Sequence, residues 1–119
     1  MNPVNIPFQV SDWTAMPAVR QPGSKGFADV KTLDFGFLKI RLIEYSAGYE
    51  ADHWCEKGHL IFCLEGSLEM KLADGVSYFL KKGMSVEVSD GMSSHQAVSS
   101  GGAALWIVDG DFLNPNFSK

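Results

Sequence analysis

From Phe27 onward, no patterned apolar stretch runs far before a glycine or a turn pair interrupts it. That punctuation limits the folds open to the chain more than any other feature. A buried helix needs roughly ten or more uninterrupted residues, whereas a strand needs only about four to eight. Leu38 to Tyr45 alternates, with Leu38, Ile40 and Leu42 on one face and Lys39 and Arg41 on the other. Ser67 to Leu72 sets Leu68, Met70 and Leu72 against Glu69 and Lys71. Asp74-Gly75 is a hairpin signal, and Val76, Tyr78 and Leu80 share a face beyond it. Further strands are expected at Phe27 to Phe35, Tyr49 to Cys55, His59 to Glu65, Met84 to Val88 and His95 to Val98. Ala103 to Val108 is nearly continuous in apolar residues and reads as a strand buried on both faces. About nine short strands with no helix between them predict an all-β sandwich or barrel.

The first 26 residues differ. They carry four of the five prolines, Pro3, Pro7, Pro17 and Pro22, which disfavour helix. An extended N-terminal arm is expected, with a short edge strand at Phe8 to Val10. Its apolar residues Phe8, Trp13 and Met16 can pack on their own barrel or on a second subunit. The division is therefore an arm at 1–26, a barrel core at 27–109 and a tail at 110–119 that carries Phe112, Pro115 and Phe117. At 119 residues this is one domain. A net charge of −4 argues against nucleic acid or an anionic membrane as partner. The N-terminus shows no signal-peptide pattern, and no apolar run reaches membrane-spanning length. Two cysteines eight positions apart make no disulfide framework. A cytoplasmic setting follows as the expectation, and it suits a thiolate ligand.

The donors of interest cluster between Gly48 and Gly66. Two of the three histidines, His53 and His59, fall there with both cysteines, Cys55 and Cys63; His95 lies downstream. On a strand, His53 and Cys55 would share a face. A turn at Glu56-Lys57-Gly58, eased by the glycine's tolerance of positive φ, would bring His59 back beside them. Imidazole and thiolate donors so grouped predict a transition-metal site on His53, Cys55 and His59. Cys63, inside an apolar run, reads as a core residue. Asp52 should face away from His53. Glu56 could replace Cys55 as a ligand. Arg41 and Glu44 read as a solvated face, with a cavity lining as the alternative. Cys55 could also serve as a nucleophile with His53 or His59 as base.

The same residues resemble the cupins, small double-stranded β-barrels of the jelly-roll type. Gly48, His53 and Gly66 match the first cupin motif, with four residues in place of five between Gly48 and His53, Cys55 standing where the second His belongs and His59 at the Glu position. Gly83, Gly91 and His95 match the second motif, with three residues in place of two before His95 and with Ser89 and Ser99 replacing its Pro and Asn, so the resemblance adds His95 to the ligand set. The string Asp52-His53-Trp54-Cys55-Glu56-Lys57-Gly58-His59 is similar to that of the DHCW-motif cupins, a likeness running from about Ile6 to Asp111. The resemblance implies a barrel with a metal inside it, often a homodimer, and no one reaction. It leaves open a metalloenzyme acting on a small molecule, of oxygenase or isomerase type, and a non-catalytic binding domain. A Cys/His3 set fits zinc best, with iron, nickel and copper also open.

Overall fold

A computed structural model describes residues 5–116. Nine strands follow in order: β1 (Val19–Pro22), β2 (Phe27–Asp34), β3 (Leu38–Tyr45), β4 (Tyr49–Glu50), β5 (His59–Leu72), β6 (Ser77–Lys81), β7 (Ser85–Val88), β8 (His95–Ser99) and β9 (Ala103–Gly110). A single 3₁₀ turn, Asp111–Leu113, closes the described chain. Every strand pairing is antiparallel. The strands run β1-β2-β3-β9-β5-β8-β4, with β6 and β7 also paired to β5. The all-β jelly-roll expectation is met. Among the described residues no helix is long and apolar enough to cross a membrane.

β5 holds the two halves together. Its first residues pair with β7 and β9, and its last with β6 and β8. The sequence reading ended a strand at Gly66 and began another at Ser67. The ladder instead continues through, with a register irregularity between Cys63 and Glu65. Gly66 permits the bend. Its φ is 71°, and a Cβ there would sit 2.3 Å from the carbonyl oxygen of Gly102.

The core lies on the inward faces of these strands. Ile43, Cys63, Leu68, Met70, Leu80, Leu105 and Ile107 are all buried and form one cluster. β9 alternates, with Ala103, Leu105 and Ile107 buried while Ala104, Trp106 and Val108 are half-buried. It is therefore covered fully on one face only. On β6, Leu80 is buried while Tyr78 is exposed, as is Val76 just before the strand, so the three do not share one buried face.

The arm also departs from expectation. Phe8 to Val10 forms no strand, and the edge strand is β1, paired with β2 through Val19↔Val30 to Pro22↔Phe27. Trp13 packs edge-on against Trp106, with ring centroids 4.8 Å apart, and Lys31 Nζ donates to its carbonyl at 2.7 Å. Part of the arm thus covers its own barrel. Ile6, Phe8 and Val10 stay exposed, Phe8 by 96%. Pro3 and Phe117 lie outside the described residues.

Candidate metal centre

The site grows from one backbone pairing. Cys55 N donates to His95 O at 2.8 Å, and His95 N donates to Cys55 O at 3.0 Å. Residues that exchange both bonds stand directly opposite in an antiparallel ladder, so their side chains leave on the same face. The strand expected over Tyr49 to Cys55 stops at Glu50, and Cys55 forms this isolated bridge instead. His59 enters as the first residue of β5, paired with Val88. Gly58 lets it do so: a Cβ at Gly58 would lie 2.6 Å from Asp90 N and 2.7 Å from Val88 O. Its role is close backbone approach, not the positive φ that the turn argument supposed. Asp90 Oδ1 fixes that crossing by accepting from Gly58 N at 2.5 Å.

Three of the four anticipated donors meet. Ligand atoms of Cys55, His59 and His95 lie within 4.8 Å of one another, and the two histidines are buried. His53 does not join them. Its side chain is 72% exposed, and its Nδ1 sits 2.6 Å from Asp52 Oδ1. The reason is local. Between Glu50 and His59 there is no continuous ladder, so the rule that residues two apart share a face has nothing to act on. Asp52, expected to face away from His53, is its partner. Glu56 is exposed, and its carbonyl accepts from Gly91 N.

One of the donor separations fits a tetrahedral ion. Cys55 Sγ lies 3.6 Å from His59 Nε2. Zinc bonds of about 2.3 Å to sulfur and about 2.05 Å to nitrogen, at a tetrahedral angle, separate S and N by about 3.6 Å. His95 Nδ1 is 3.1 Å from Ser93 O, so that nitrogen donates and Nε2 is left free to ligate. His59 Nδ1 likewise faces Asp109 Oδ2 at 3.3 Å. The distance is within hydrogen-bond reach but the contact is poorly aligned, so Nδ1 is a buried polar atom without a well-aligned partner. Burial lowers the His59 pKa to about 4; the Arg41 charge adds to the effect and Asp109 opposes it. The ring is therefore neutral at pH 7, the form that can bind a metal.

Arg41 corrects the solvated-face reading. Ile43 and Leu105 are register partners and both are buried, so Arg41, two residues before Ile43, also points inward. An inward cation needs a counter-charge. Its Nη2 donates to Asp109 Oδ2 at 2.6 Å. Glu44, of opposite parity, faces outward and is exposed. Asp109 went unnoticed in the sequence, although it shares inward parity with Leu105 and Ile107. Cys63 is fully buried, and burial raises its thiol pKa, so it is a core residue as expected.

All three grouped donors open onto a cavity of about 790 Å³, whose wall also includes Arg41, Tyr49 and Gln96. That volume is within the usual range for small-molecule sites.

No family model matches the chain, and no curated protein matches it. Solved structures do. The polyketide cyclase RemF from Streptomyces resistomycificus is 24% identical, with a TM-score of 0.72 over 87% of this chain and 79% of its own. An RmlC-like cupin from Shewanella frigidimarina is 22% identical, with a TM-score of 0.70 over 87% of this chain and 91% of its own. Ectoine synthase from P. lautus is 17% identical, with a TM-score of 0.71 over 87% of this chain and 78% of its own. At these identities the likeness establishes the cupin fold. The narrower resemblance to DHCW-motif cupins rests on sequence, the string from Asp52 to His59 with Ser89-Asp90-Gly91 and His95 downstream.

Proposed function

We propose that this chain, a cupin by fold, binds one divalent transition metal ion on Cys55, His59 and His95 and acts on a small molecule held in the adjoining cavity. The observation that carries the reading is the three-donor group on a cavity wall. Three protein ligands leave a position for substrate or water, whereas four would close a tetrahedral site. With His53 on the surface, the set is an open one. The cyclase and synthase among the structural neighbours support an enzyme on this fold.

Zinc is the first choice of metal on ligand type. Bound there, it would supply Lewis-acid chemistry without redox change, which favours an isomerase-type reaction over an oxygenase. Iron or nickel in the same site would favour the reverse order. An elemental assay names the ion. Cobalt substitution then tests the open position: adding a small anion such as azide is expected to shift the visible spectrum. An unchanged spectrum would mark a closed, non-catalytic centre.

The proposal includes a second copy of the chain. Ile6, Phe8 and Val10 lie exposed on the arm, and Leu60 and Phe62 are exposed on β5. Five apolar side chains on two segments are what a self-complementary interface would cover. Light scattering at micromolar concentration is expected to give about twice the 13.0 kDa chain mass. A monomer would overturn this part.

A further inference from the structure

We infer that Asp109 is a positioning residue for the metal ligand His59, itself held in place by Arg41. The inference rests on the metal reading above and adds two residues to it. His59 has two ring nitrogens with different surroundings. Nε2 faces Cys55 Sγ at 3.6 Å, on the side where the donors gather. Nδ1 faces Asp109 Oδ2 at 3.3 Å and has no other polar partner. A neutral imidazole carries one ring proton, and the carboxylate beside Nδ1 is a stronger acceptor for it than the Cys55 sulfur beside Nε2. Asp109 thus selects the tautomer with hydrogen on Nδ1 and a free lone pair on Nε2. The short bond from Arg41 Nη2 to the same Oδ2 keeps the carboxylate from swinging toward solvent.

The three residues come from separate strands that meet only in the fold. Arg41 is on β3, His59 opens β5 and Asp109 is near the end of β9. Register places Arg41 opposite Ile107, two residues from Asp109 on the same face. His95 is served by a backbone carbonyl, that of Ser93, and His59 by a charged group. The charged partner raises ligand basicity more, so the loss of Asp109 should weaken the site through His59.

Two measurements test this. The first is the nitrogen spectrum of the ¹⁵N-histidine-labelled, metal-free wild type at neutral pH, with His59 assigned by His59→Gln. The expected result is a proton on Nδ1 of His59. A proton on Nε2 would overturn the inference, whether or not the protein takes up metal. The second is zinc affinity by competition with a chromophoric chelator. Asp109→Asn is expected to bind zinc about 10- to 100-fold more weakly than the wild type. Arg41→Gln should lower affinity in the same direction but less. Leu105→Ala, on the same strand but in the core, should leave the affinity of the folded protein unchanged. Wild-type affinity in a folded Asp109→Asn protein would overturn the positioning role. A wild type that takes up no zinc, iron or nickel defeats the metal reading instead, and the tautomer still judges Asp109. Should Asp109→Asn fail to fold, the wild-type spectrum decides alone.

Discussion

The His95→Ala protein is expected to purify without metal and to show no thermal response to it, while His53→Ala keeps both. His95 contributes a buried imidazole opposite Cys55, and His53 lies on the surface against Asp52. The size of the response follows from linkage. A ligand that binds only the folded state stabilises it by about 2.7 kcal/mol at 100 times its dissociation constant. For a domain of this length that is on the order of 10 °C in melting temperature. The wild type and His53→Ala should both lose this increment on chelation, and His95→Ala should start without it. Cys55→Ala should behave as His95→Ala does. Full metal content in His95→Ala, or loss of metal in His53→Ala, would overturn the three-donor assignment. Differential scanning fluorimetry with and without chelator, alongside elemental analysis, reads both quantities.

A second large effect is expected at Leu105. Its side chain is fully buried in mid-β9, with Ile43 opposite on β3 and Cys63 opposite on β5. Truncating a fully enclosed leucine to alanine costs the lost transfer energy and leaves a cavity, together about 3 to 5 kcal/mol. Native domains hold only about 5 to 15 kcal/mol in all. Leu105→Ala should therefore lower the urea midpoint severely while the slope of the transition stays unchanged. Val108 lies on the half-buried outer face, and Val108→Ala should cost much less. Equal losses at the two positions would contradict the assigned inward face of β9.

The strands and turns were legible because strand alternation and glycine placement are local signals. Asp74-Gly75 connects β5 to β6 as the D-G pair predicts, and β3, β7 and β8 begin and end close to where alternation sets them. Cys55, His59 and His95 stood out as candidates, since thiols and imidazoles are few in this chain, and the fold brings the three together. What was hidden depended on partners far away in sequence. The inward turn of Arg41 becomes tolerable only because Asp109, 68 residues later, meets it. His53 looked like a ligand on the assumption of a strand through Cys55. That strand fails because after Glu50 the segment finds only isolated contacts, the Cys55–His95 bridge among them. Continuity of β5 through Gly66 was equally invisible, since a glycine with positive φ signals a break and a bend alike.

That continuity also sets an order on the birth of the protein. During synthesis β5 emerges well before β8 and β9, yet its inward residues Ile61, Cys63 and Met70 pair with Ile107, Leu105 and Ala97 on those later strands. The hairpin with β6, closed at Asp74-Gly75, and the pairing with β7 can form first. Until about residue 110 has cleared the ribosome, a 14-residue strand waits with its other edge unpaired and its apolar face uncovered. Pairings that span such separations make folding slow, on the millisecond to second scale for β-rich domains. The nascent chain is most exposed to aggregation over this one strand, and a holdase chaperone would find its binding segment there.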